Sequence, residues 1–99
     1  MILPKDIEKH ISKSFNDVQR VKSALSNLND SSEKIRIIRC ILSMSDSDYD
    51  AVSSWVEKAN NDYRYIIWFA EYDERNIRMY DFNYAFNKQN KYSYPSEDF

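Results

Sequence analysis

Apolar residues recur at spacings of three and four along the first part of the chain. The positions are Ile7, Ile11, Phe15, Val18, Val21, Leu25 and Leu28, and such a stripe is typical of one amphipathic helix. Pro4 suits the first turn of a helix, and the acidic Asp6 and Glu8 suit the positive end of its dipole. The pattern predicts a first helix over roughly residues 4–28.

A second helix is predicted over residues 31–44, after a polar break at residues 27–31. Asp30 followed by Glu33 has the spacing of a capping box. Apolar side chains cover most of this helix and leave only a narrow polar strip. The strip contains Arg36, Arg39 and Ser43.

The third helical pattern follows the polar stretch at residues 45–50, whose aspartates suit a helix N-cap. Its stripe begins at Val52, Trp55, Val56 and Ala59 and keeps its phase through Tyr63, Ile66, Ile67 and Ala70. Asn60, Asn61 and Asp62 are poor helix-interior residues. We therefore expect a kink or a new cap near Asp62.

Residues 63–86 also have an alternative interpretation. Tyr, Ile, Trp and Phe favour strands, and the aromatic residues at positions 80, 82, 84 and 86 alternate with Asp81, Asn83, Ala85 and Asn87. A hairpin over about 63–86 that turns at residues 73–76 would make the fold α+β.

The favoured fold is mainly α, a small bundle of three to four helices with an aromatic-rich C-terminal extension. We expect residues 1–87 to form a single domain and residues 88–99 to form a loosely ordered tail. The expected core brings two groups of side chains together. They are Trp55, Ile66, Ile67, Trp68 or Phe69 from one part of the chain, and Ile7, Ile11, Phe15, Val18, Ile38 and Leu42 from the other.

Charge and aromatic content divide the chain into two halves. Up to Met44 there are eight Lys or Arg against five Asp or Glu; from Ser45 onward there are six against eleven, and the net charge is −2. Fourteen of the fifteen aromatic residues follow Ser45. The chain has no glycine, which excludes phosphate-binding loops, and a single cysteine fits a reducing compartment. Without a signal sequence or an apolar run long enough for a membrane, we expect a cytoplasmic protein.

The middle of the chain resembles a pattern in small uncharacterised bacterial proteins. In that pattern a Leu-Ser break is followed by a helix, an alanine, an Asp-aromatic-Arg triplet and an apolar run that ends in Ala-Glu. The matching residues are Leu42, Ser43, Ala59, Asp62, Tyr63, Arg64, Ala70 and Glu71. Tyr65 stands where the pattern often has a second acid. The resemblance implies a helix over residues 62–72 and no particular chemistry.

No constellation of residues predicts catalysis, a metal or a cofactor. His10 is the only histidine, and we expect it to face solvent. Cys40 lies among isoleucines and is expected to act as a small apolar residue. The alternating Asp46, Asp48 and Asp50 resemble the start of a calcium loop, but the glycine that such a loop needs is missing. The chain is therefore predicted not to be an enzyme.

The excess of aromatic residues predicts a surface that binds another protein. Tyr and Trp are enriched at binding hot spots, and here they are interleaved with acids. The expected contact residues are Tyr65, Trp68, Glu71, Tyr72, Asp73 and Glu74. The expected partner is a basic protein or a second copy of this chain. The hypothesis is a small neutralising inhibitor of the immunity, antitoxin or anti-defence type.

The alternative function is nucleic-acid binding or regulation through the basic faces of the first two helices. Lys34, Arg36 and Arg39 are its candidate residues. The acidic sequence pI of about 5.3 argues against it, because nucleic-acid-binding domains concentrate positive charge.

Overall fold

The computed structural model describes residues 2–88, and these residues form five consecutive helices. They are α1 (Lys5–Ser14), α2 (Val18–Leu25), α3 (Lys34–Ser45), α4 (Tyr49–Asn61) and α5 (Tyr63–Glu71). The mainly α fold is thus confirmed. Almost all of the predicted tail, residues 89–99, lies outside the described residues. None of the helices within residues 2–88 is long and apolar enough to cross a membrane.

The alternative of a C-terminal hairpin is wrong, because residues 63–71 are helical and no strand occurs within residues 2–88. The chain does turn at residues 73–76, as that alternative expected. The Asn76 N–H donates to the Asp73 carbonyl, and an isolated antiparallel bridge joins Tyr72 to Arg78. The turn needs a left-handed residue, and Asn76 takes that position with φ of 64°. Asparagine tolerates this conformation better than most residues.

The first predicted helix is in fact two helices, so its single span over residues 4–28 is wrong. Phe15 ends α1 in an extended conformation, and its side chain is buried. The Asp17 carboxylate then caps α2 by accepting a hydrogen bond from the Arg20 N–H at 3.1 Å. The polar pair Asn16 and Asp17 supplies this alternative to helical bonding. The apolar residues of the stripe are buried or partly buried on both sides of the break.

α3 is the central helix of the bundle and lies against α1, α4 and α5. Six consecutive side chains, residues 37–42, are buried in it, as expected for a helix that other elements surround. Its start differs from the prediction. Glu33 is the N-cap residue and makes no side-chain cap bond, while Asp30 pairs instead with Lys34 at 2.9 Å.

Aspartates occupy the cap positions at the end of α3 and at both ends of α4. Asp46 ends α3 in the left-handed conformation with φ of 47°, which aspartate tolerates better than most residues. Asp48 then accepts a hydrogen bond from the Asp50 N–H at the start of α4. The expected break near residue 62 is also confirmed. Asp62 ends α4 and caps α5, accepting from the Arg64 N–H at 3.2 Å.

The core contains residues from all five helices and from residues 72–88, which follow α5 and which we call the C-terminal segment. Its fully buried side chains include Ile7, Ile11, Leu25, Ile37, Ile38, Ile41, Leu42, Val52 and Ile66. Of the expected members from the second half, only Ile66 is fully buried; Trp55 and Ile67 pack partly buried against the core. Trp68 and Phe69 are about half exposed and were wrongly expected to close it. Phe82, beyond the helices, is buried in their place.

Candidate functional site

Four aromatic side chains form a stripe along the outward face of α5 and its C-cap. Tyr65, Trp68, Phe69 and Tyr72, which we call the aromatic stripe, have the spacing i, i+3, i+4 and i+7 of one helix face. The first three are 48%, 48% and 49% exposed, and Tyr72 is partly buried. The inward face of the same helix buries Ile66 completely. The helix is therefore apolar on two faces, of which only one packs against the core.

The rings of the stripe contact one another and are fixed by neighbouring groups. Tyr65 stacks on Phe69 with ring centroids 5.8 Å apart, and it lies 6.4 Å from Trp68. The indole N–H of Trp68 donates to the side-chain oxygen of Asn76 at 3.0 Å. Rings that are already ordered lose less conformational entropy when a partner binds.

Trp55 of α4 extends this surface beyond α5. Its ring lies 5.6 Å from Phe69, and the Lys58 ammonium sits 4.8 Å from the centre of the indole. The exposed aromatic surface thus crosses from one helix to the next. The sequence predicted Trp55 to be a core residue of the α4 stripe, and the structure packs it only partly buried against the core.

On the opposite side of the stripe, Trp68 and Tyr72 line an open cleft of about 370 Å³ between α5 and α3. The lining also includes Glu33, Arg36 and the exposed Arg64. Such a cleft offers an aromatic wall together with charges of both signs.

The structure places Glu71 in the interior and not on the contact surface. Its side chain has no exposed area. One oxygen accepts from Arg36 Nη2 at 2.7 Å and from Arg78 Nη2 at 2.9 Å. The other accepts from Arg36 Nε and from the backbone N–H of Phe82, both at 2.9 Å. With two guanidinium partners and a backbone donor, Glu71 is available to hold the fold but not to contact another protein.

Asp73 and Glu74, the other two acids of the predicted contact set, have different surroundings. The Asp73 carboxylate accepts hydrogen bonds from the N–H groups of Arg75 and Ile77 and pairs with the Arg75 guanidinium at 2.8 Å. These contacts, that of Arg75 first, hold the pKa of Asp73 below its ordinary value. Asp73 therefore shapes the turn after α5. Glu74 lies in the turn that follows α5, is exposed, and is the acid of the predicted set that stays available at the surface.

The three residues proposed for nucleic-acid binding are all paired with acids. Lys34 pairs with Asp30, and Arg36 with Glu33 and Glu71. Arg39 is only 7% exposed and forms a two-point ion pair with Asp6 at 2.9 and 3.0 Å. The pairs Lys34–Asp30 and Arg36–Glu33 are local along α3 and its start. The sequence could not show the pairs Arg36–Glu71 and Arg39–Asp6, because these partners lie 35 and 33 residues apart along the chain. These side chains do not form a free basic face.

The reactive residue types outside the stripe have structural surroundings. Cys40 is completely buried, and burial raises the pKa of its thiol. His10, which was expected to face solvent, is partly buried, because its ring stacks on Phe86 with ring centroids 4.5 Å apart. Burial lowers the pKa of His10, so the ring is neutral at pH 7. Within residues 2–88, no group of three His, Cys, Asp or Glu side chains is arranged to hold a metal ion.

Comparison of the chain with protein-family models, with curated proteins and with solved structures found no match. The resemblance of residues 42–72 to small bacterial proteins therefore stays a prediction, and the functional argument depends on the geometry of the site alone.

Proposed function

We propose that this protein is a non-catalytic protein-binding module that docks on its partner through the aromatic stripe. The observation that carries the proposal is the exposure of three large rings on one face of α5, together with the closure of the core by other residues. Contiguous apolar side chains that stay exposed on one face mark interaction sites more often than singly exposed ones do. In an interface, the same rings bury a large area at a low entropic cost.

The spacing of the stripe also favours a particular kind of contact. Side chains at i, i+3, i+4 and i+7 are the anchors by which a helix fits into an apolar groove or against another helix. α5 has nine residues and presents its anchors on a rigid element. The partner surface that fits it is an apolar groove wide enough for aromatic side chains.

We further propose that the partner is a protein that this chain neutralises, as an inhibitor of the immunity, antitoxin or anti-defence type. The charge of −5 on residues 45–99 supports a basic partner, and Glu74 is the exposed acid of the predicted contact set. Aromatic contacts supply the affinity in this scheme, while the charge mainly accelerates association.

The test begins with a partner captured from native host cells and then purified. Its dissociation constant is measured by isothermal titration calorimetry for the wild-type chain and for Tyr65→Ala/Trp68→Ala. Two hot-spot rings contribute about 2 kcal/mol or more each, and a factor of ten is about 1.4 kcal/mol. We therefore expect the double variant to bind at least about 100-fold more weakly.

Tyr84→Ala is the matched control, because Tyr84 is 42% exposed but lies outside the stripe. It should bind like the wild type. Equal dissociation constants for the stripe variant and the control would show that the stripe is not the contact surface. Light scattering of the chain alone tests for a homodimer. A particle of twice the monomer mass in the wild type, and of the monomer mass in Tyr65→Ala/Trp68→Ala, would identify the partner as a second copy.

Two further measurements separate the finer proposals. Equimolar addition of the chain should abolish the partner's own activity, and an unchanged activity would contradict inhibition while leaving binding intact. Glu74→Lys should slow association with a basic partner, most clearly at low salt. An unchanged association rate would show that the partner is not selected by this charge.

A further inference from the structure

A row of three lysines follows the exposed face of α1. Lys5, Lys9 and Lys13 are all exposed, and four-residue steps along a helix place them about 6 Å apart along its axis. Within residues 2–88 none of the three has a carboxylate partner. The basic side chains of α3, in contrast, are all paired with acids.

The row borders a cleft that the C-terminal segment completes. Residues 85–87 lie beside α1, and together they enclose an open cleft of about 740 Å³. This volume lies within the range of small-molecule sites in proteins. Its lining includes all three lysines, His10 and Phe86.

The aromatic part of the cleft is held in place by a network of hydrogen bonds. The Phe86 N–H donates to the Asp6 carboxylate at 3.1 Å, and the Phe86 ring stacks on His10 with an interplanar angle of 21°. Asp6 is the one acid in the lining, and its charge is balanced by the ion pair with Arg39. The cleft therefore combines uncompensated positive charge with an ordered pair of stacked rings.

We propose that this cleft binds nucleotides, with phosphates on the α1 lysines and a base against the His10–Phe86 stack. Lysine binds phosphate as a point charge, and aromatic rings beside a basic groove are the usual means of holding single-stranded nucleic acid. The nucleotide is either free or part of a single strand. A peptide carboxylate would use the lysines but would leave the stacked rings without a planar partner.

The site shares no residue with the aromatic stripe, so it does not depend on the proposed function. It also replaces Lys34, Arg36 and Arg39 as the place where nucleic acid would bind. The negative overall charge is no obstacle to a small site, because a local row of cations acts over about 8–10 Å at moderate ionic strength.

The experiment measures fluorescence anisotropy of a labelled six-nucleotide single strand on titration with the full chain. Unlabelled adenosine triphosphate, tripolyphosphate and a glutamate-rich peptide serve as competitors. We expect the strand to bind and adenosine triphosphate to compete better than tripolyphosphate, because only the nucleotide has a ring to stack. A lower dissociation constant for adenosine triphosphate than for the strand would assign the site to a free nucleotide. A lower dissociation constant for the strand would assign it to a single strand.

The salt dependence tests the lysines directly. Three phosphate contacts to a single strand predict a log–log slope of affinity against salt of about −2, and one remaining contact predicts about −0.7. Lys9→Gln/Lys13→Gln should show the smaller slope. Lys34→Gln/Lys58→Gln removes the same charge elsewhere and should retain the slope of the wild type.

Phe86→Leu tests the stacking, with circular dichroism to establish that the variant is folded. It should weaken binding of adenosine triphosphate several-fold and leave the affinity for tripolyphosphate unchanged. Overall loss of folding would lower both affinities together, so this difference is specific to the ring. The proposal is overturned by absence of binding, by equal slopes in the two double-lysine variants, or by tripolyphosphate or a glutamate-rich peptide competing as well as adenosine triphosphate.

Discussion

The carboxylate of Glu71 meets two guanidinium groups and a backbone N–H within hydrogen-bond distance. A carboxylate without exposed area is strongly destabilising unless it is paired and hydrogen-bonded. Arg36, Arg78 and the Phe82 N–H satisfy that requirement. At the scale of single residues, the charges that looked most useful for binding are therefore used to hold the chain together.

Glu71→Ala should lower the free energy of unfolding by about 3–5 kcal/mol, because it leaves two partly buried guanidinium groups without their shared acid. Urea denaturation followed by circular dichroism measures the change. Glu74→Ala is the matched control, since it removes the same side chain at an exposed position. A loss for Glu71→Ala no larger than that of the control would contradict the structural role.

At the scale of the element, α5 shows how one helix serves two environments. Its inward face buries Ile66 and its outward face carries the aromatic stripe. The sequence predicted the helix, its cap at Asp62 and the separation of these faces from periodicity. It did not predict that Phe69 belongs to the outward face, because periodicity alone does not tell which of two apolar faces the neighbouring helices cover.

Two substitutions on α5 should therefore have different consequences. Ile66→Ala opens a cavity in the core and should cost about 2–5 kcal/mol of stability. Trp68→Ala removes a half-exposed ring and should cost about 1 kcal/mol, although the side chain is much larger. Urea unfolding of both variants measures this order, and a greater loss for Trp68→Ala would place its ring in the core.

At the scale of the whole molecule, hydrogen bonds to the charged side chains of Glu71, Arg39 and Asp6 attach the segment after α5 to the helices. Besides the contacts of Glu71, both members of the Asp6–Arg39 ion pair, which joins α1 to α3, hydrogen-bond to the backbone of this segment. Arg39 donates to the Phe82 carbonyl at 3.1 Å, and Asp6 accepts from the Phe86 N–H. The last contact joins residues 80 positions apart. The C-terminal segment is thus part of the domain and completes the lysine-lined cleft.

This attachment should depend on pH. Burial favours a raised pKa for Asp6, but the bonds from Arg39 and Phe86 outweigh it and lower the pKa below 3.8. As the pH falls, the unfolded chain takes up this proton first, so the stabilisation is complete above about pH 5 and is lost as the pH falls through the lowered pKa. Urea unfolding of the wild type and Asp6→Asn between pH 6 and 2 should show their difference shrinking with acidity. A constant difference would contradict the contribution of the Asp6 charge.

The sequence by itself determined the helical class, the inward stripes and most of the breaks, because these depend on periodicity and on local capping by residues such as Asp48 and Asp62. Even the split between α1 and α2 depends on a local cap at Asp17, although the continuous stripe concealed it. Tertiary structure alone decided which charges form long-range ion pairs. Glu71, Arg36, Arg39 and Asp6 look like ordinary surface residues until the fold brings together positions more than 30 residues apart. The reason is that ion pairing depends on distance in space, which periodicity does not encode.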